Sequence, residues 1–178
     1  MNRTALQHRI ALALGLLSIA AGLTAQTPAW KAYSYPKDEF SASFPSEPLE
    51  QKRSVPSAAG AFNLDAYVAR DASAAVFVGV SDYGAKAAGR DPEAVLNDAE
   101  KGALADVDAH LVTEKKIALG ANSGREFEAE NDQFHISARI YLVGTKLYQT
   151  LVAFPLKQPY SAAARFLNSF QLIESAKK

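Results

Sequence analysis

The sequence predicts an α+β domain, an antiparallel β-sheet of about eight strands accompanied by two helices. Three observations predict it. From Trp30 onward, short runs of alternating apolar and polar residues are broken by Pro, Gly, Asn and Asp, the pattern of strands joined by tight turns. Only two stretches carry apolar residues at helical spacing, one after Asp91 and one after Ser161. The chain of 178 residues, 48% hydrophobic and 21% charged, suits one globular domain and excludes a disordered polymer or a collagen-like repeat.

The elements follow in order. Residues 30–35 and 40–44 flank Pro36-Lys37-Asp38-Glu39 and read as a first hairpin, with Tyr33, Tyr35, Phe40, Ala42 and Phe44 as its apolar positions. Pro45 and Pro48 end that pairing. Residues 49–55, 61–70 and 75–83 read as three more strands. In the last, Val76, Val78 and Val80 alternate with Phe77 and Gly79, so both sides are apolar and the strand is expected to be central. Asp91-Pro92-Glu93 starts a helix: Asp caps free amides, Pro fits the first turn and Glu favours the positive end of the dipole. It is expected to run to Ala105, burying Leu96, Ala99, Ala103 and Val107 and leaving Asp98, Glu100, Lys101 and Asp106 in solvent.

Residues 111–117 read as a strand and 119–124 as a turn-rich connection, followed by strands at 125–130, 133–143 and 146–154. Two-residue loops at Asn131-Asp132 and Gly144-Thr145 suit primed turns, with Gly144 where a type II′ turn wants glycine. Counted this way, Glu130 faces Gln133, Glu128 faces His135, Glu126 faces Ser137, Arg139 faces Thr150 and Tyr141 faces Tyr148. Ala163, Phe166, Leu167 and Phe170 then form the apolar stripe of a closing helix.

The start of the chain carries Arg3 and Arg9, an uncharged apolar run of 14 residues from Ile10 to Leu23, and Thr24-Ala25, the layout of a secretory signal peptide cut near Ala25. The run is shorter than the roughly 20 residues of a spanning helix. The expected organisation is a leader at 1–25 and a single domain at 26–178, secreted or periplasmic and soluble after cleavage. Removing the leader leaves 17 basic against 19 acidic residues, a net charge of −2 that gives nucleic acid or an anionic membrane little hold. With no cysteine there is no thiol nucleophile, redox pair or thiolate zinc site.

Several of these segments have a familiar look. Phe40-Ser41-Ala42-Ser43-Phe44-Pro45, Gly124-Arg125-Glu126-Phe127-Glu128, residues 139–152 and Phe166-Leu167-Asn168-Ser169-Phe170 resemble exported bacterial proteins of the PsbP-like superfamily. The resemblance spans residues 30–173 and implies a central antiparallel sheet with helices on both faces, an α-β-α sandwich. It carries no catalytic signature. That superfamily includes an extrinsic photosystem II subunit, a Ran-binding nuclear import factor and bacterial envelope proteins, which share a fold and not a function. It implies a non-catalytic partner of something larger.

No motif calls for a cofactor or names a catalytic residue. Beyond the leader the histidines are His110 and His135. Glu128 beside His135, with Glu126 and Glu130 on the same face, suits either a divalent-metal or acid–base site or a set of ordinary cross-strand pairs. Tyr141 and Tyr148, with Arg139 and His135 on their face, suit either an aromatic and cationic patch for a ligand or partner, or helix-covered packing. Ser123 in Gly120-Ala121-Asn122-Ser123-Gly124 is displaced by one position from the GxSxG nucleophile pattern and reads as a turn. The expected function is therefore an exported, non-enzymatic and monomeric binding or accessory module of the bacterial envelope, with an unknown protein partner. The alternative is a small-ligand or divalent-metal binder using Glu128, His135 and Arg139.

Overall fold

The computed structural model describes residues 30–55, 61–84 and 89–173. The expected leader lies outside the described residues. Ten strands and two helices follow in the order β1 (Lys31–Tyr35), β2 (Phe40–Phe44), β3 (Leu49–Val55), β4 (Phe62–Arg70), β5 (Ala75–Asp82), α1 (Pro92–Asp106), β6 (His110–Leu119), β7 (Asn122–Glu130), β8 (Phe134–Val143), β9 (Lys146–Pro155), α2 (Ala163–Ser169) and β10 (Gln171–Leu172). The α+β class is as the alternating runs predict, but the strands divide. Seven form one antiparallel sheet in the order β3-β4-β5-β9-β8-β7-β6, and β1, β2 and β10 form a separate sheet of three.

The single sheet of about eight strands is thus corrected to seven plus three. Pro45, Ser46 and Pro48 carry the chain away from β2 before β3 begins. The first hairpin then packs on the large sheet through Phe40, Ala42 and Phe44, alternate residues of β2 that are 0%, 2% and 0% exposed. β10, two residues beyond α2's end, pairs with the other edge of β2 and ties the end of the described chain to its beginning.

Alternate residues of β8 serve two apolar clusters, as side chains on opposite sides of a strand must. Tyr141 joins Tyr67, Val76, Val78, Tyr148 and Val152 of the large sheet with Phe40 and Phe44 of the small one and with Phe166, Leu167 and Phe170. Ile136, Ala138, Ile140 and Leu142 join Phe127 and Ala129 with Val95, Leu96 and Ala99 of α1. β5 lies inside the sheet as its double apolar pattern predicts, with Val76, Phe77, Val78 and Val80 all buried.

Helix α1 begins where expected, Asp91 Oδ1 accepting from the Glu93 amide at 3.3 Å. One of its expected solvent residues is buried: Glu100 is 5% exposed. The expected connection at 119–124 is mostly strand, because a two-residue turn at Gly120-Ala121 suffices once Gly120 adopts a φ of +61°. The Gly144-Thr145 turn and its register, Tyr141 facing Tyr148 and Arg139 facing Thr150, are as predicted.

The β7–β8 register is corrected by two residues. Glu130 faces His135, Glu128 faces Ser137 and Glu126 faces Arg139. Asn131 is responsible: its Oδ1 accepts from the Gln133 and Phe134 amides at 3.0 and 2.8 Å, and its own amide donates to Phe134 O at 3.0 Å. That Asx turn lengthens the loop. A slip of two preserves the face, so the same polar residues still share one side.

Candidate functional site

The polar stripe of the β7–β8 hairpin is the first constellation. Glu126, Glu128 and Glu130 alternate along β7 and His135, Ser137 and Arg139 along β8, all on the side that carries Tyr141. Lys115 of β6 stands 2.6 Å from Glu126, Arg139 Nε is 2.6 Å from the other oxygen of the same carboxylate, and Arg139 donates on to Asn168 of α2 at 2.9 Å. Burial alone would raise the Glu126 carboxyl; the hydrogen bonds from Lys115 and Arg139 outweigh it and hold the group below its ordinary range. His135 lies between Glu128 and Glu130, and the Ser137 hydroxyl donates to Glu128 at 2.6 Å.

Of the five residues singled out in the sequence, Glu128, His135 and Arg139 are half-buried on this stripe, whereas Tyr141 and Tyr148 are not at the surface. Tyr148 is 0% and Tyr141 5% exposed. Tyr141 stacks on Phe170 with ring centroids 5.9 Å apart, Tyr148 meets the same ring at 5.7 Å, and its hydroxyl donates to Asp38 O. The five-residue patch is therefore corrected to three charged or polar residues beside an aromatic core. Tyr141 also covers Gly124 on the next strand, where any Cβ would come within 2.7 Å of the Ile140 carbonyl oxygen.

A second constellation was missed in the sequence. Arg125 of β7, its side chain 4% exposed, donates to Asn97 and meets Glu93, Glu100 and Glu114 at 3.1, 3.4 and 3.3 Å. Glu93, Asn97 and Glu100 lie at i, i+4 and i+7 along α1, so one polar line of the helix grips one guanidinium. That spacing was the available signal. Lys116 adds a contact of 2.9 Å to Glu93. The Lys116 hydrogen bond, with help from Arg125, holds the Glu93 carboxyl low. Burial, and then the Glu114 charge, hold the Glu100 carboxyl high against the pull of Arg125.

These arrangements define what chemistry is at hand. Among the described residues, no group of three or more His, Asp or Glu side chains is placed to hold a metal ion. Ser123 pairs with Ala118 near the Gly120 turn, while His110 and His135 both adjoin Glu130 at the far end of β7. Seven residues of strand separate them, roughly 23 Å at about 3.3 Å per residue. An open groove of about 410 Å³ is lined by Lys37, Lys52, Arg53, Ser54, Asn63 and Asp65. Its Lys52 is bound to Asp65 at 2.6 Å and its Arg53 to Gln51 at 2.6 Å. No helix among the described residues is long and apolar enough to cross a membrane.

An antiparallel seven-stranded sheet capped by a small three-stranded one, with two helices and an aromatic closing segment, is a PsbP-like fold. The solution structure of cyanobacterial PsbP (CyanoP) from Synechocystis sp. PCC 6803 superposes with a TM-score of 0.56 at 12% identity, covering 86% of this chain and 98% of that one. No protein-family model matches the sequence, and no curated protein matches it.

Proposed function

We propose that the chain is an exported, non-enzymatic binding or accessory module of the bacterial envelope, acting through a protein partner. One observation carries this reading: in the constellation richest in chemical groups, His135 has both ring nitrogens engaged by carboxylates and Ser137 is tied to Glu128. Neither a free base nor an activated nucleophile remains there. The ionic stripe is instead a fixed charge pattern, which gives a partner register and orientation more than it gives catalysis. The leader-like start supports export, and cleavage near Ala25 would release a soluble, monomeric domain into the periplasm or medium.

A three-layer sandwich belongs to the same reading. What supports it is that α1 clusters with Ile136, Ala138 and Ile140, while Phe166 and Phe170 cluster with Tyr141 on the opposite side of β8.

Native mass spectrometry of the protein recovered from its own envelope fraction, without chelators, tests the proposal. A chain beginning near residue 26 in a discrete complex, lost when Lys115 and Arg139 are both changed to Glu at an unchanged fold, supports it. A bare chain in every fraction overturns the partner, and turnover of general ester substrates overturns the non-enzymatic assignment.

A further inference from the structure

The turn of the first hairpin, residues 36–39, is held from several sides. The Asp38 amide donates to Tyr35 O at 3.0 Å, and its carboxylate, in a residue 9% exposed, accepts from the Tyr67 hydroxyl. The Tyr148 hydroxyl donates to Asp38 O at 3.1 Å. Glu39, at a φ of +58°, is bound by Lys146 at 2.8 Å, and its carbonyl accepts from the Ile173 amide at 2.9 Å. A left-handed glutamate is unfavourable by itself and persists because these bonds fix it. Lys37, exposed within this turn, is therefore presented from a fixed backbone.

On the side of the β3–β4 ribbon that carries Tyr67, successive cross-strand pairs are Glu50 with Tyr67, Lys52 with Asp65 and Ser54 with Asn63. The open groove of about 410 Å³ lies between the Lys37 turn and the last two of these pairs, with Arg53 at the sheet edge.

Its charges do not balance. Lys37, Lys52 and Arg53 meet one carboxylate, Asp65, which Lys52 binds at 2.6 Å. The Asp38 carboxylate is engaged by Tyr67, Arg53 is bound to the neutral Gln51, and Lys37 forms no salt bridge among the described residues. The Lys37 and Lys52 ammonium groups lie close enough to interact, yet neither can accept a hydrogen bond from the other. An anion set against both would supply the missing acceptor.

We propose that this groove binds a phosphate monoester, its phosphate oxygens bridging Lys37 and Lys52 and the rest of the ligand lying along Ser54 and Asn63. The site is apart from the ionic stripe and does not depend on the accessory role. Ammonium groups bind phosphate as point charges, whereas the planar fork that suits a carboxylate belongs to Arg53 and is taken by Gln51. Ser54 and Asn63 supply neutral donors. Asp65 accepts hydrogen bonds and repels anions, so a ligand gains by carrying hydroxyl groups beyond its phosphate. The groove's volume falls within the roughly 300–1,000 Å³ of small-molecule sites.

The test is an amide NMR titration at low ionic strength with glycerol phosphate, inorganic phosphate and glycerol, each set against sodium chloride at matched ionic strength. Glycerol phosphate should shift the amides of residues 37, 52–54 and 63–65 along one saturating curve. Inorganic phosphate should act at the same residues more weakly, and glycerol and chloride should not act there. Lys37→Ala should weaken binding about tenfold, the loss of one charged hydrogen bond. Asp65→Asn should strengthen it, because a carboxylate leaves and Lys52 is freed; a merely structural role would not give that sign. Lys101→Ala, at an exposed lysine of α1, should change nothing. Shifts spread over exposed lysines at large, an equal response to chloride, or unchanged binding in Lys37→Ala overturns the site. Should Asp65→Asn disturb the ribbon, Lys37→Ala still decides.

Discussion

The two apolar clusters hold their helices by different means. Around α2, Phe166 meets Phe44 at 5.6 Å and Phe170, just past the helix, is ringed by Phe40, Tyr141 and Tyr148, a buried aromatic contact to which Arg139 adds an exposed hydrogen bond at Asn168. Around α1 the apolar contacts come from Val95, Leu96 and Ala99, and Arg125 adds a buried ionic tie from β7 to three side chains of the helix. Aromatic burial responds to neither pH nor salt in the ordinary range. A guanidinium among carboxylates responds to both. One sheet therefore carries two attachments with different sensitivities, which substitutions can separate.

The largest effect is expected from Phe166→Ala, which empties a fully buried site and should remove about 3–5 kcal/mol, read by urea unfolding. A variant melting like its parent would break the aromatic half of the comparison. Arg125→Met should cost about 3 kcal/mol near pH 7, because Glu93, Glu100 and Glu114 are left facing one another. Unlike the Phe166→Ala deficit, this one should shrink on acidification as the carboxylates take up protons.

Glu100→Gln sharpens the same point with the opposite sign. The Glu100 carboxyl is raised in the folded protein, so the folded state prefers its proton. Ionising it lowers stability as pH climbs above the ordinary 4.5 towards the folded-state value. A neutral amide should therefore leave the melting temperature at pH 7 unchanged or higher, and flatten its pH dependence just above 4.5; a clear fall would contradict this. The smallest effect belongs to Lys115→Ala: its side chain is 66% exposed, so losing its pair with Glu126 should cost less than about 1 kcal/mol.

Local signals in the sequence carried much of this architecture. Asp91-Pro92-Glu93 marked the start of α1, Gly144 marked a turn whose φ is +59°, and Phe166 marked the buried face of α2; Phe170 is buried as expected but lies just past the helix, in extended backbone, rather than on its face. What escaped were choices made by distant residues. Residues 31–44 lie over the large sheet through contacts of Phe40, Ala42 and Phe44 with residues far along the chain, and β10, which pairs with β2, is a two-residue strand with no periodicity to detect. The β7–β8 register turned on a side chain bond of Asn131, which a count of loop residues does not include.

At the candidate site the face was legible and the burial was not. Alternation placed Glu128, His135, Arg139, Tyr141 and Tyr148 on one side of the hairpin, since period two survives a slip of two residues. Which end of that face is covered depends on where α2 and β2 land, and they cover the tyrosine end. Glu100 was taken for solvent because its partner Arg125 is 25 residues away and reads, in its own strand, as one charge in an alternating run.

The most direct test is urea unfolding of the parent, Arg125→Met and the conservative core variant Phe166→Leu at pH 7 and pH 4. The account expects the Arg125→Met penalty to fall by about 1 kcal/mol or more at pH 4 while the Phe166→Leu penalty stays the same. Penalties that move together, or an Arg125→Met penalty independent of pH, would contradict the division of the molecule into an ionic and an aromatic attachment.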